Sequence, residues 1–305
     1  MKEETLRFAQ DDRHLYNFIF PVHINAQKNF MKKKTQNRQK QKAAPGLSWG
    51  FRSLDRHTAG LLPSQMTVFA AHPGVGKTAF ALNVAEKLAL EQNIPVGMVS
   101  LEMTRKQLLV RMACSHARID LLQLYLGKGS EKAREKFTNA LGVIEKAPLH
   151  IFETPRISLP DLQTEARRLK SRFQIRLLII DFLQLMSAEG LPPCKDRPEE
   201  LMRIAQGIQL LAGELQLPVL LLQRLDHPEE KVTCAQKTIH SREAKAIEKE
   251  ADVICRLTPN DAYEEQQRKA MEPITAEVMI VKNRNGPVGR AKLKFLPKNT
   301  RFEDV

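Results

Sequence analysis

Six short apolar runs, separated by helix-length segments, constrain the fold of this 305-residue chain more than any other feature of its sequence. The runs are rich in Val, Ile and Leu and read MTVFA, PVGMVSLE, LLIID, PVLLL, ADVICRL and AEVMIVK. Strands that are apolar on both faces are typical of a parallel sheet buried between two layers of helices. The sequence therefore predicts an α/β fold with a mostly parallel central sheet flanked by helices. Ligands are expected at the carboxyl ends of the strands.

The first 44 residues differ in composition from the rest of the chain. The stretch LRFAQDDRHLYNFIF predicts a short apolar helix, and residues 28–42 carry seven basic side chains and no acidic one. Pro45 and Gly46 then mark a boundary. We expect an N-terminal helix with a basic linker over residues 1–44 and one large domain over residues 45–305.

The charge balance points to a polyanionic partner. Lys and Arg number 48 against 35 Asp and Glu, which gives a net charge of +13, and the pI is near 9.6. This excess favours nucleic acid as the partner, although a basic tail that only aids solubility has the same composition. The four cysteines lie far apart without a C-x-x-C pair, which argues against a zinc or redox motif. With no signal peptide and no membrane-length apolar run, we expect a cytoplasmic protein without a membrane partner.

A glycine-containing turn after MTVFA is the strongest candidate for a ligand site. Gly76, Lys77 and Thr78 match the end of the phosphate-binding pattern G-x-x-x-x-G-K-[ST], but Ala71 stands in place of its first glycine. Lys77 would contact the β- and γ-phosphates, and the Thr78 hydroxyl would bind Mg²⁺. The predicted nucleotide-binding residues are His72, Pro73, Gly74, Val75, Gly76, Lys77, Thr78 and Ala79. The competing interpretation is a helix-start turn without a ligand.

Two acidic residues follow other predicted strands. Glu102 comes after MVSL, where a carboxylate could activate the water that attacks a γ-phosphate. A solvated glutamate in the first turn of a helix is the alternative. Asp181 ends LLIID in the Walker B pattern and would hold Mg²⁺, although buried runs that end in Asp are common. Both would lie at the same end of the sheet as the glycine turn.

A pair of cations stands late in the chain, in VMIVKNRNGPVG. Lys282 and Arg284 are two residues apart and would project from one face of a strand. At a strand end they could act as fingers that reach the γ-phosphate of a neighbouring subunit. By itself, a basic strand face is more often only solvated.

Taken together and in this order, these segments resemble the RecA-like ATPase domain of DnaB-type replicative helicases, from about Pro45 to Asp304. The matching stretches are GFRSLDRHTAGLLPSQMTVFAAHPGVGKTAFALN, SLEMTRKQLLVRM, ARID, LIIDFLQLM, SREAKAIEKEADVI, KNRNGP and TRFED. In that family the phosphate loop routinely opens with alanine, so Ala71 supports the resemblance.

The resemblance implies a hydrolase that uses ATP and Mg²⁺ and moves along single-stranded DNA in DNA replication. It implies a homo-oligomer, by analogy a hexamer, with a helicase loader among its partners. Lys77 and Thr78 match the nucleotide-binding pair, Glu102 the catalytic glutamate, Asp181 the metal-binding aspartate, and Lys282 with Arg284 the finger pair. Arg242 and Glu243 match a loop that contacts the DNA backbone.

The chain departs from the family pattern in three places. Arg224 occupies the slot of a glutamine that senses the γ-phosphate, with Gln223 beside it. Either Arg224 binds phosphate directly, or Gln223 takes the role after a one-residue shift. Lys245 replaces a glycine of the DNA loop, where it would add a phosphate contact or distort a turn. The helical N-terminal domain of the family has no counterpart, so a primase contact is not inferred. An accessory DNA-binding ATPase that does not unwind is the alternative function.

Overall fold

The computed structural model describes residues 46–187, 189–190, 192–225, 242–259 and 273–305. The strands are β1 (Met66–Ala71), β2 (Val96–Ser100), β3 (Leu149–Glu153), β4 (Ile157–Ser158), β5 (Leu177–Asp181), β6 (Met186–Ser187), β7 (Val219–Arg224), β8 (Val253–Pro259), β9 (Ile274–Asn283), β10 (Gly289–Leu296) and β11 (Arg301–Asp304). The helices are α1 (Arg52–Thr58), α2 (Lys77–Glu86), α3 (Arg105–Ala117), α4 (Leu121–Tyr125), α5 (Glu131–Ile144), α6 (Leu159–Phe173), α7 (Arg197–Leu215) and α8 (Arg242–Glu250).

A nine-stranded sheet with the order β11-β10-β9-β8-β1-β7-β5-β2-β3 forms the centre of the fold. The six strands from β8 to β3 are parallel, which confirms the expected architecture. β9, β10 and β11 extend the sheet in antiparallel fashion. The run AEVMIVK therefore belongs to an antiparallel strand, contrary to its place in the predicted parallel set. Along β9 buried residues alternate with less buried ones, as expected where only one face of a sheet is covered.

Helices cover both faces of the parallel strands. One apolar cluster contains residues of α2, α3 and α5, and the other contains residues of α6, α7 and α8. Phe80 of α2 stacks on Phe69 of β1 with ring centroids 4.0 Å apart, so α2 is fixed directly on the central strand. Every residue from Ala79 to Glu86 is buried, which makes α2 a core helix rather than an amphipathic one.

The predicted N-terminal helix and basic run lie outside the described residues, so the boundary at residue 45 stays a prediction. Among the described helices, none is both long and apolar enough to cross a bilayer.

Candidate functional site: a phosphate loop at the carboxyl ends of the strands

The glycine turn lies between β1 and α2, as its sequence predicts. Gly74 and Gly76 have φ values of +78° and +105°, in the left-handed region that L-residues rarely adopt. A Cβ atom at Gly76 would also lie 3.3 Å from ring atoms of Phe295 and Phe302, whereas one at Gly74 would meet nothing within 4 Å. The backbone conformation therefore favours glycine at both positions, and at Gly76 a Cβ would in addition be tightly packed against the two rings.

The start of α2 presents backbone donors toward the loop. The N–H groups of Lys77, Thr78 and Ala79 precede the first N–H that bonds within the helix, which is that of Phe80 to the Gly76 carbonyl at 2.8 Å. The side chains of Val75 and Ala79 are buried in the apolar core, so these two residues offer only backbone groups to a ligand. Together with the helix dipole, such donors form an anion-binding site.

Lys77, Thr78 and Asp181 converge beside this loop. The Thr78 hydroxyl donates to Asp181 Oδ2 at 2.8 Å, and Lys77 Nζ lies 3.5 Å from Asp181 Oδ1. The Lys77 ammonium also sits 3.9 Å from the centre of the Phe182 ring. Burial lowers the pKa of Lys77, and the carboxylates of Asp181 and Glu102 oppose that shift.

The oxygen atoms at this point fit a Mg²⁺ ion. The Asp181 carboxylate is fully buried, and its Oδ1 accepts no hydrogen bond within the described residues. This oxygen, which has only the Lys77 ion pair at 3.5 Å, and the Thr78 hydroxyl are a suitable ligand set for a hard cation that prefers oxygen. Thr78 and Asp181 are thus the residues that would hold the metal.

Glu102 follows β2, the strand that pairs with β5 and its last residue Asp181. Ser100 of β2 pairs with Asp181 of β5, and the Leu101 N–H donates to the Asp181 carbonyl at 2.7 Å. Helix α3 begins only at Arg105, after its N-cap Thr104, so Glu102 does not belong to the first helical turn. The interpretation as a first-turn helix glutamate is therefore wrong. Glu102 is exposed and acts electrostatically on Lys77.

Arg224 and Gln223 lie on opposite faces of β7. Leu220 and Leu222 of the same strand belong to the core cluster of α2, whereas Leu221 belongs to the cluster of α8. By the alternation of a strand, Arg224 shares the face of the phosphate loop and Gln223 the other face. Gln223 is fully buried, and neither its amide oxygen nor its amide nitrogen has a hydrogen-bond partner within the described residues.

Lys282 and Arg284 lie at the opposite end of the sheet from the loop. Because β9 is antiparallel to β8, Asn283 pairs with Val253 at the start of that strand. Lys282 Nζ donates to the carbonyl oxygens of Glu248 and Lys249, at 2.8 Å and 3.1 Å. Arg284 Nη1 lies 3.0 Å from Asp252 Oδ1. These cations therefore have partners within their own chain and are not merely solvated.

The expected DNA loop is a helix where the structure describes it. Arg242 is the first residue of α8, although its side chain lies outside the described part, and Glu243 and Lys245 follow within the helix. The residues are good helix formers, and Ala244 and Ile247 bury one face. Since this backbone is helical, Lys245 does not distort a glycine turn. It lines a groove of about 390 Å³ together with Lys249, Arg256 and Lys282.

Two further residues at the strand ends escaped the sequence reasoning. The Gln184 side chain pairs with both backbone groups of Arg224, donating to its carbonyl at 2.7 Å and accepting from its N–H at 3.2 Å. Asp252 accepts from the Met66 N–H at 2.9 Å as well as pairing with Arg284. Gln184 lies three residues after Asp181 in LIIDFLQLM, which is the only local signal for it. Asp252 had none.

Comparison with known proteins agrees with this geometry. The family model for the DnaB-like helicase C terminal domain matches residues 46–304. Replicative DNA helicase DnaB of Geobacillus stearothermophilus is 35% identical over 261 residues, and replicative DNA helicase DnaC of Bacillus subtilis (strain 168) is 34% identical over 262 residues. Each alignment covers 85% of this chain and 57% of the relative, so the chain spans a little over half the length of the curated relatives it matches.

Solved structures give the same result. A DnaB-like replicative helicase, whose interactions with primase were described, superposes with a TM-score of 0.75 at 27% identity, covering 86% of this chain and 62% of that one. A second structure, an ATPase domain, gives a TM-score of 0.74 at 26% identity, covering 87% of this chain and 93% of that one. The RecA-like fold, the loop at the carboxyl ends of the strands and the match over nearly all described residues lead to one conclusion: this chain belongs to the family of DnaB-like helicase C-terminal domains.

Proposed function

We propose that this chain is the ATPase motor of a DnaB-type replicative helicase, which couples ATP hydrolysis to movement along single-stranded DNA. The observation that carries the proposal is the convergence of Lys77, Thr78 and Asp181 at the glycine loop, with Glu102 at the end of the adjacent strand. These residue types in this arrangement serve phosphoryl transfer in nucleotide hydrolases.

Each residue at the loop has a distinct task in the proposed reaction. The loop N–H groups and Lys77 bind the β- and γ-phosphates. When the nucleotide binds, Lys77 leaves its ion pair with Asp181 and contacts phosphate oxygens instead. Glu102 orients the attacking water and accepts its proton as the bond between the γ-phosphorus and the leaving ADP oxygen breaks. Mg²⁺ held by Thr78 and Asp181 would supply positive charge to the phosphate oxygens.

Lys282 and Arg284 complete the site of an adjacent subunit in this proposal. Arg284 lies beside Asp252 and thus near Met66, at the start of β1, while the loop follows Ala71 at its other end. The two ends are roughly 17 Å apart at the rise of an extended strand. One chain therefore cannot bring both cations to its own loop, and a homo-oligomer, by analogy a hexamer, is required.

The DNA contact is assigned to α8 and the residues around its start. Arg242, Glu243 and Lys245 occupy the first turns of this helix, whose other end is held by Lys282. A movement of Lys282 toward a neighbouring nucleotide would therefore act on the helix that carries the DNA-binding residues. A helicase loader is part of the proposal as a further partner.

The first test compares ATP turnover, with and without single-stranded DNA, and fork unwinding for the native chain and Glu102→Gln. Turnover in the variant should fall about 10²- to 10⁴-fold, the usual effect of removing a general base, while ATP binding persists. Glu145→Gln, at an exposed position after α5, is the matched control and should retain turnover. Nucleotide binding by the native chain without turnover or unwinding would instead support the accessory role.

A second test addresses the shared site. Lys77→Ala subunits cannot use their own loop but still carry Arg284, whereas Arg284→Ala subunits have an intact loop. Mixing the two inactive variants should restore part of the turnover. Absence of rescue at every mixing ratio would contradict a site shared between subunits.

A further inference from the structure

Arg224 is the residue of the candidate nucleotide site for which the family pattern expects an uncharged glutamine. The sequence leaves two alternatives, direct phosphate binding by Arg224 or a shift that puts Gln223 in its place. β7 pairs with β1 without irregularity from Met66–Val219 to Ala71–Arg224. A regular register leaves no room for a one-residue shift, so Arg224 keeps the slot on the nucleotide face.

The backbone places Arg224 directly beside the phosphate loop. Arg224 pairs with Ala71, the last strand residue before the loop, and the next N–H, that of Leu225, donates to the Ala71 carbonyl at 2.9 Å. Adjacent strands are about 4.8 Å apart, so the arginine begins one strand away from the chain that binds the phosphates. Gln184 holds both backbone groups of Arg224, which fixes the point from which the side chain extends.

The guanidinium of Arg224 is available for a ligand. It is exposed and makes no hydrogen bond or ion pair with any residue that the structure describes. Arg284, in contrast, is paired with Asp252. Burial is the main cause that lowers the pKa of Lys77, and the positive charge of Arg224 adds to that shift. Two cations so placed favour a polyanion between them.

We propose that Arg224 binds the γ-phosphate of the nucleotide in the loop of its own subunit, as a second cation beside Lys77. The inference rests on the proposed function, because it assumes that a triphosphate occupies the loop. A guanidinium is planar, always charged and able to contact two phosphate oxygens at once, which a glutamine in the same slot does not match. Arg224 exchanges no proton in the reaction. It stabilises the charge on the γ-phosphate oxygens as the bond to ADP breaks.

A binding measurement separates this role from a structural one. Arg224→Gln, which restores the family residue, should weaken binding of the slowly hydrolysed analogue ATPγS roughly 10- to 100-fold, the effect of losing a charge-assisted hydrogen bond. ADP lacks the γ-phosphate, so its affinity should stay within about twofold of the native value. Arg224→Lys keeps the charge but cannot contact two phosphate oxygens at once. Its affinity for ATPγS should lie between those of the native chain and Arg224→Gln. The matched control is Arg176→Gln, an exposed arginine just before β5, at the other end of the strands, and it should change neither affinity.

Several results would overturn the inference. Equal losses for ATPγS and ADP would show that Arg224 supports the loop in general, and no loss for either would show that it does not touch the nucleotide. If the native chain binds neither nucleotide, the proposed function itself fails.

Subunit mixing tests whether Arg224 acts within its own subunit. Lys77→Ala subunits should rescue Arg284→Ala, which needs a neighbour's arginine, but should not rescue Arg224→Gln, whose defect lies in its own loop. Rescue of Arg224→Gln would place Arg224 at a neighbour's nucleotide and contradict the inference. If Lys77→Ala fails to rescue Arg284→Ala but Arg224→Gln still weakens ATPγS binding selectively, the proposal for Arg224 stands. Only the proposal of a site shared between subunits is then contradicted.

Discussion

At the scale of single residues, Gln223 shows how neighbours on a strand acquire different environments. Arg224 points toward the loop and solvent, whereas Gln223 is enclosed by the core under α7 and α8. Its amide oxygen and nitrogen have no hydrogen-bond partner within the described residues. An unsatisfied buried amide lowers stability, typically by about 1 to 3 kcal/mol.

Replacing Gln223 with methionine should therefore stabilise the fold. Methionine has a similar shape but no strong polar group, so we expect the free energy of unfolding to stay equal or to rise by up to about 2 kcal/mol. Urea unfolding of the native chain and the variant measures this. Leu221→Met, on the same face of the same strand, is the control and should lose less than about 1.5 kcal/mol. A loss for Gln223→Met that clearly exceeds the loss for Leu221→Met would mean that the amide has a partner.

Glu86 makes stability depend on pH. Burial would raise its pKa, but the hydrogen bond to His116 together with the charge and hydrogen bond of Arg301 outweighs burial, so the pKa lies below its ordinary 4.5. Arg301 Nη1 lies 3.1 Å from Glu86 Oε1, which ties α2 to β11. A lowered pKa contributes stability that is present above about pH 4.5 and is lost as the pH falls through the pKa of the folded state.

Glu86→Gln should remove this contribution. At pH 7 the variant should lose about 1.5 to 3 kcal/mol, since a charged hydrogen-bond acceptor is replaced by a neutral amide. The difference in free energy of unfolding between the variant and the native chain should become smaller as the solution is acidified below pH 4.5. Chemical unfolding between pH 3 and 7 measures both effects. A gap that stays constant over this range would contradict the assigned role of the carboxylate.

At the scale of elements, α7 contains two glycines with different surroundings. A Cβ atom at Gly207 would lie only 2.2 Å from Cδ2 of Leu159, at the start of α6. One at Gly213 would meet nothing within 4 Å. Gly207 therefore permits the close approach of α6 and α7, whereas Gly213 only adds flexibility to the helix.

Alanine should have opposite effects at the two positions. Gly207→Ala forces the helices apart or Leu159 out of place and should lower the free energy of unfolding by about 1 to 3 kcal/mol. Gly213→Ala should add about 0.5 to 1 kcal/mol, because alanine loses less backbone entropy in a helix. Thermal unfolding of the pair shows both signs. Equal shifts in the same direction would rule out the packing argument.

At the scale of the whole molecule, strand direction separates the two halves of the proposed catalytic site. Parallel strands gather the loop, Glu102 and Asp181 at their carboxyl ends, and antiparallel β9 carries Lys282 to the amino ends. In the proposed function, one chain thus presents its nucleotide-binding surface and its finger surface at opposite ends. Such a molecule is suited to head-to-tail assembly.

Turnover per subunit should therefore rise with protein concentration. The reason is that, in the proposed assembly, Lys282 and Arg284 reach a nucleotide only after association, and such cations contribute about 10³- to 10⁵-fold in GTPases. The measurement is specific ATPase activity across a dilution series, with the oligomeric state determined by light scattering. The specific ATPase activity of Arg284→Ala should remain low at every concentration. Full activity in a strictly monomeric sample would contradict this assembly model.

Prediction from sequence succeeded where the signal is local. The six apolar runs, the glycine turn and the placement of Asp181 depend on residues close together in the chain. All six runs form strands, although AEVMIVK lies in antiparallel β9, the turn lies between β1 and α2, and Asp181 ends β5. β10 and β11 were not predicted, because their apolar residues alternate with polar ones, as in GRAKLKFL, and do not form a continuous apolar run. Arg242 to Lys245 were assigned to a loop by resemblance, but the helix-forming residues of this segment and the buried side chains of Ala244 and Ile247 produce α8.

The sequence by itself determined the position of the glycine loop, the acidic residues that follow the strands, and the family. Loops of this kind need particular residues at fixed spacings, which a linear pattern records. Only the tertiary structure decided which face of β7 holds Arg224, that Gln184 anchors it, and that Lys282 and Arg284 lie away from their own loop. These features depend on strand direction, register and contacts between distant segments, and such pairings leave no regular trace in a single chain.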